Sequence, residues 1–320
     1  MPKILVSIVI VNYNGKDLIK TAIDSIKKST LRNFEIIVVD NASTDGSKEF
    51  LRKNYNNINI VENSLNLGYT GINNAVKFCK GKYILFLNND IKLDKNCIKN
   101  LVRVIESDES IGMTAPKLIN FYDETLVSGG TWLSRAFYSG HIKGEKESGN
   151  IEIPYLGVGL IRKSIVGKYG YIFDPDYFIY GEDVDLGLRI RLFDKKIVLV
   201  SNAFLYHMHA ATSKQKSKAF ATYLMEKNLL TTFFKILSIK NILLFLPFVL
   251  FARIIAVLKD IATLQIGIAF SRMKAILYVL LNFNLIIKKR VQTQKLRKVT
   301  DNYILEVFSE KYLFKPKFIV

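Results

Sequence analysis

At 320 residues and 49% apolar composition, the chain has room for one large α/β domain plus a smaller appendage, and ample material for a core. Its two cysteines, Cys79 and Cys97, exclude a disulfide framework and lack metal-ligand spacing, which points to a reducing compartment. The net charge of +18 is lopsided, since residues 213–320 hold 19 Lys/Arg against 5 Asp/Glu, and the long apolar runs between those charges favour an anionic membrane surface over nucleic acid.

The chain runs from Met1-Pro2-Lys3 directly into a strand pattern, without the basic, apolar and small-residue succession of a signal peptide, so a cytoplasmic location is expected. Residues 4–11 form a continuous β-branched run that reads as a central parallel strand. Asn12-Tyr13-Asn14-Gly15 breaks it, and helical spacing follows over 17–28. The pattern repeats with a strand at 35–39, a polar loop at 40–46, a helix at 47–53, a strand at 58–61 and a helix at 70–79. Residues 83–87 are too few and too β-prone for a helix; they read as a strand buried on both faces, ending in Asn88-Asn89-Asp90. Strands alternating with helices of about ten residues imply a Rossmann-like, mostly parallel sheet with helices on both faces. Ligands bind beyond the carboxyl ends of such strands, which places Asp90 at the mouth of a site, although Asn-Asn-Asp is also good turn chemistry. A glycine-rich dinucleotide fingerprint and a P-loop are both absent, so a nucleotide would be held by Asn, Asp and Tyr side chains and by metal. Asp40 could meet a base or ribose, or simply cap its loop.

A helix is expected at 95–107 and a strand at 113–119, then one or two short antiparallel strands and an exposed, mobile segment at 139–150. Gly157 and Gly159 allow close backbone approach, for packing or for a ligand. At 177–191 an aromatic run passes through Gly181 into Glu182-Asp183 and an amphipathic helix containing Leu186, Leu188, Ile190 and Leu192. The helix N-terminus would keep these carboxylates ionised at neutral pH, which suits a general base and equally suits a helix cap. A later strand ends at His207-Met208-His209; a His beside an acid from another strand end would let one divalent ion satisfy both. In the tail, residues 223–237 read as a helix, and 242–258 is a 17-residue apolar run holding Pro247 and Arg253, at the low edge of a spanning length. Residues 275–287 form a second apolar run, followed by Lys288, Lys289, Arg290, Lys295, Arg297 and Lys298. Helices lying in the membrane interface, with those basic residues on anionic headgroups, are the preferred reading. A transmembrane hairpin, packing on the α/β domain and a homodimer contact are the alternatives.

The succession SIVIVNYNG, VVDNASTDGS, NLGYTGINNA, YILFLNND, FDPDYFIYGEDVDLGLR and LYHMHAATS resembles the inverting family 2 glycosyltransferases of GT-A fold, in the branch that includes rhamnosyltransferases. The resemblance covers about 4–213 and implies a catalytic domain at 1–215, with a nucleotide-sugar half at 1–119 and an acceptor half at 120–215. The C-terminal helical extension, 216–320, would be membrane-associating. By the same resemblance Asn88-Asn89-Asp90 stands for the Asp-x-Asp motif with Asn88 in place of its first acid, and Asp90 would contact a Mn²⁺ or Mg²⁺ ion together with His207, His209 being the lesser candidate. Tyr13, Asn14, Asp40, Asn41, Gly68, Asn73 and Asn89 would surround a UDP or dTDP sugar, with Asp40 on the nucleobase. Asp183, beside Glu182, would be the general base, and Arg189, Arg191 or both would face the diphosphate or the acceptor. The implied reaction carries a sugar to a hydroxyl of a lipid-linked or cell-surface glycan at the inner face of the cell membrane. A nucleotide-sugar-binding assembly partner without catalysis is the alternative, and a nucleic-acid-binding module a further one.

Overall fold

The computed structural model describes residues 4–142, 149–208 and 218–309. Its first half runs β1 (Val6–Asn12), α1 (Lys16–Lys27), β2 (Phe34–Asp40), α2 (Ser47–Asn54), β3 (Asn59–Glu62), a 3₁₀ helix (Gly68–Phe78) and β4 (Tyr83–Asn88). Strands β3, β2, β1 and β4 lie side by side and parallel, as the repeated strand, loop and helix pattern predicts. The register sets the site, because Asn12 pairs with Asp40 on one side and Val11 pairs with Asn88 on the other, so the carboxyl ends of three strands finish level. The segment read as an α-helix at 70–79 winds more tightly than that. A Cβ at Gly71 would collide with the side chains of Asn41 and Asn63, and the Thr70 hydroxyl donates to the Leu67 carbonyl.

The chain continues through β5 (Ile91–Leu93), α3 (Cys97–Ser107), β6 (Ile111–Asn120), β7 (Leu126–Ser128), β8 (Thr131–Ser134), β9 (Ser139–His141), β10 (Ile151–Glu152), β11 (Gly159–Arg162), α4 (Lys163–Tyr169), α5 (Glu182–Leu192) and β12 (Lys196–His207). Strand β11 enters antiparallel between β4 and β6, and β12 lies parallel to β6, so the sheet is mixed around a parallel centre. Strand β12 also pairs antiparallel with β5, with His207 opposite Ile91. The amide of Met208 donates to the Asp90 carbonyl at 2.9 Å, so the two strand ends are fastened together. Cys79 and Cys97 are both free and buried. The expected domain boundary at 215/216 and His209 fall within 209–217, and half of the exposed segment expected at 139–150 falls within 143–148; both stretches lie outside the described residues.

The remaining elements are α6 (Lys218–Ile236), α7 (Ile239–Ala262), α8 (Ile266–Leu281), α9 (Phe283–Gln294), α10 (Asp301–Leu305) and β13 (Phe308–Ser309), the last joining β8 and β9 in a small second sheet. Helix α5 differs from its expected amphipathic form. Leu186 and Ile190 belong to the core of the large sheet, whereas Val184, Leu188 and Leu192 belong to a second core with Leu229, Leu230 and Phe233 of α6. Its apolar residues at every second position leave no face to water. The tail departs from its expected lengths as well. Helix α7 reaches 24 residues, while the run at 275–287 is broken at Asn282, whose side-chain amide bonds the Tyr278 carbonyl, so that α8 and α9 meet at a 70° bend.

Arg253, expected to burden the apolar run, turns away from its exposed face: its guanidinium is fully buried, donates to the Ala136 carbonyl at 2.7 Å and lies 3.1 Å from Glu226. Part of the basic cluster is likewise turned inward, which corrects the expectation that it lies on headgroups. Lys289 pairs with Asp174 and Asp176, Arg290 donates to the carbonyls of Phe234 and Leu237, and Arg297 pairs with Asp301. Lys288, Lys295 and Lys298 remain exposed. Among the described residues α7 is the one single helix long and apolar enough to cross a membrane.

Candidate active site

A cavity of about 320 Å³ opens at the carboxyl ends of the central strands. Tyr13 follows β1, Asn41 follows β2, Gly68 begins the 3₁₀ helix, Asn88 to Asp90 end β4, Glu182 and Asp183 begin α5, and His207 ends β12; all of them line it. Residues separated by almost two hundred positions therefore meet because parallel strands end at one edge of the sheet.

Asp90 and His207 meet in this cavity, with Nε2 of His207 3.4 Å from Oδ1 of Asp90. Two donors bound to one octahedral or tetrahedral ion at about 2.1 Å would stand about 3.0–3.4 Å apart, so the separation fits a shared divalent cation. No group of three or more His, Cys, Asp or Glu converges on a metal position among the described residues. Two protein donors leave most coordination positions to oxygens of a ligand, an arrangement suited to a diphosphate chelate.

Tyr69 shows how close the acids lie. Burial pushes its phenol well above the ordinary range, and the negative charges of Glu182, Asp183 and Asp90 push it further. The phenol therefore stays protonated and donates to the Gly157 carbonyl at 2.6 Å. Asp183 responds in the same direction: burial raises its carboxyl to about 6, and a hydrogen bond from the Val184 amide offsets only part of that. The helix N-terminus was expected to hold this group firmly ionised, but desolvation outweighs it. At neutral pH Asp183 remains mostly ionised, with a basicity far better matched to accepting a proton than that of an ordinary aspartate.

Three of the other expected binding residues, Asp40, Asn14 and Asn73, stand behind the wall. Asp40 is fully buried, accepting from the Ser43 amide at 2.9 Å and from the Asn12 side chain at 3.3 Å; Asn12 in turn accepts from Asn89 at 2.7 Å. This polar chain links β2, β1 and the end of β4. Asn14 takes a positive φ of 47° and accepts from the Thr44 amide, tying the first loop to the second. Asn73 faces away from the cavity, bonding the Phe173 carbonyl and the amides of Ile172 and Phe173. Gly68 is held at φ +63°, where a Cβ would run into the Phe178 carbonyl.

Arg189 and Arg191 do not face the cavity, which corrects that expectation. Arg189 is buried against Asp185 at 2.7 Å and donates to the Ile172 carbonyl; Arg191 pairs with Glu152 and Glu306. Both brace α5 from behind, because their long side chains reach across the helix to its neighbours. Conversely, the sequence gives Asn228 no role beyond its place in the helix expected at 223–237. Its side-chain amide donates to the carbonyls of Tyr177, Ile179 and Tyr180, and so fixes a loop in which Phe178 and Tyr180 take positive φ just before Glu182. Only the tertiary fold brings α6 to that loop; no local spacing signals it.

Residues 7–170 match the sequence profile of Glycosyl transferase family 2. An Escherichia coli protein named as a UDP-Glc:alpha-D-GlcNAc-diphosphoundecaprenol beta-1,3-glucosyltransferase is 36% identical over 107 residues, covering 33% of this chain and 43% of the relative. A Mycobacterium tuberculosis N-acetylglucosaminyl-diphospho-decaprenol L-rhamnosyltransferase is 25% identical over 243 residues, covering 66% of this chain and 78% of the relative. The chain spans only 18%, 18% and 43% of three of the curated relatives it matches. Among solved structures, GalNAc-T7 with UDP, GalNAc and Mn²⁺ aligns at a TM-score of 0.60 and 20% identity, over 72% of this chain and 48% of that one, which establishes a GT-A-like fold.

Proposed function

The chain belongs to the family 2 glycosyltransferases, and from that premise we propose that it moves a sugar, with inversion, from a nucleotide-diphosphate donor to a hydroxyl of a lipid-linked glycan. The observation that carries this reading is the meeting of Asp90 and His207, 3.4 Å apart, with Glu182 and Asp183 in one cavity. Mn²⁺ or Mg²⁺ held by Asp90 and His207 would offset charge developing on the leaving diphosphate. Tyr13, Asn41 and Gly68 would enclose the nucleotide of a UDP or dTDP sugar, with Asp40, Asn14 and Asn73 shaping the loops around them. Asp183 takes the acceptor hydroxyl's proton as the oxygen attacks the anomeric carbon on the face opposite the leaving group. Glu182, on the same wall, adds negative charge that favours an oxocarbenium-like transition state. The relatives named for diphospho-polyprenol acceptors support the lipid-linked acceptor. The exposed apolar surface of α7 and α8 supports a place on a membrane surface.

The test is transfer from UDP and dTDP sugars to a lipid-linked acceptor by wild type, Asp183→Asn and Asp90→Ala. Asp183→Asn should lose about 10²–10⁴-fold in turnover with donor binding nearly intact, whereas Asp90→Ala should lose metal-dependent donor binding. Equal turnover by wild type and Asp183→Asn would sink the assignment of the base.

A further inference from the structure

A second cavity, of about 1080 Å³, lies between the β7–β9 segment and helices α6, α7 and α8. It has more than three times the volume of the first, and His141 lines both, so the two spaces meet at that side chain. Trp132 forms part of the sheet side, Ala256 and Lys259 of α7 the outer side, and Arg272 of α8 one end. The carboxylates in this wall are already matched. Glu226 pairs with Arg253 and Arg272, and Asp260 pairs with Arg272 at 2.7 Å. Lys259, exposed and forming no ion pair among the described residues, adds positive charge that no carboxylate in the wall answers.

The outer faces of the same helices carry apolar groups in water. Leu258, Ile261, Leu264, Ile266 and Phe270 surround the turn between α7 and α8, and Leu264 at its tip is 85% exposed. A chamber with an apolar wall, an unmatched cation and a connection to the site of chemistry, bordered by helices that expose apolar tips, has the complementarity of an amphiphile with an anionic head. We propose that this second cavity is the acceptor site for a polyisoprenyl diphosphate: the isoprenoid chain enters beside α7, the diphosphate lies near Lys259 and Arg272, and the attached sugar passes His141 toward Asp183. This inference rests on the lipid-linked acceptor of the function proposed above.

The experiment is calorimetric titration of farnesyl diphosphate, and separately of farnesol and inorganic pyrophosphate, into the full chain in phosphatidylcholine nanodiscs, with empty nanodiscs as the blank. UDP with Mn²⁺ is titrated into the same preparations. Trp132, the single tryptophan of the chain, reports the location through its emission. Farnesyl diphosphate should bind and shift that emission. Ala256→Phe, which fills the chamber, should weaken it at least tenfold, and Lys259→Gln should weaken it three- to tenfold without changing farnesol binding; neither variant should change UDP binding. Equal farnesyl diphosphate binding by wild type and Ala256→Phe would overturn the site, as would its failure to bind a preparation that binds UDP. Farnesol binding as tightly as the diphosphate, with Lys259→Gln silent, would overturn the anionic head. Loss of UDP binding in every preparation would instead count against the glycosyltransferase reading, and leaves the farnesyl diphosphate result to decide the cavity.

Discussion

In the proposed reaction the acceptor's proton passes to Asp183, whose carboxyl is raised to about 6 by burial. Transfer should therefore decline as pH falls through 6, and a pH–rate profile whose acidic limb lay near 4 would contradict the environment described for this side chain. Stability moves in the opposite sense. In the unfolded chain the group ionises near 3.8, so between pH 4 and 6 the folded protein binds more protons and loses stability as pH rises. Asp183→Asn removes that cost. It should melt higher than wild type at pH 7, by about 2 kcal/mol after allowing for water in the cavity, and should match it near pH 4. Thermal unfolding at the two pH values checks the sign, and a variant less stable than wild type at pH 7 would refute it. The sequence could place Asp90, Asp183 and His207 at strand and helix ends, because polar clusters after apolar runs mark those ends. It could not show that desolvation would exceed the helix dipole at Asp183, since the burying groups come from distant segments such as Tyr69 and Tyr155.

Between elements, the contact that matters most joins α6 to the loop before α5. Asn228 satisfies three carbonyls of a loop whose strained residues set the direction of Glu182 and Asp183. Asn228→Ala leaves those buried acceptors without their donor and should cost about 2–3 kcal/mol, with kcat falling more than donor affinity, because the residues proposed to enclose the donor lie on other elements. Denaturant unfolding together with steady-state kinetics reads both; unchanged kcat would mean that the loop holds its shape unaided. The parallel centre was legible in the β-branched runs ending in polar residues. Less legible were the antiparallel entry of β11, a four-residue strand whose pairing nothing local dictates, and the enclosure of α5. A period-two run of leucines and isoleucines on a helix covers both sides, and this is the pattern of a helix wedged between two cores rather than one with a wet face. The tight winding at Gly68–Phe78 has no local signal in the sequence, and the crowding of Gly71 by Asn41 and Asn63 comes from distant segments.

Across the whole molecule, the tail is part of the folded unit and not a loose appendage. Arg253 and Arg272 enclose Glu226, and Lys235 pairs with both Asp174 and Asp185, so buried charges fasten α6, α7 and α8 to one another and to α5. Arg253→Ala would leave Glu226 with one partner in place of two and should destabilise the chain by about 3 kcal/mol. A melting temperature unchanged by that substitution would show that α7 is anchored by its apolar contacts alone. Composition located the basic excess in this region but could not divide it between inward and outward charge, because alternate helix faces bear lysines of opposite fate, as Lys288 and Lys289 do. The function proposed for this chain depends on the pair Asp90 and His207 holding a cation together with a diphosphate. The most direct test is calorimetric titration of UDP into the full chain, with Mn²⁺ and then with chelator, in wild type, Asp90→Ala and His207→Ala. Binding that requires Mn²⁺ in wild type and falls at least tenfold in both variants is the predicted result. UDP binding that is indifferent to chelator and to both substitutions would contradict it.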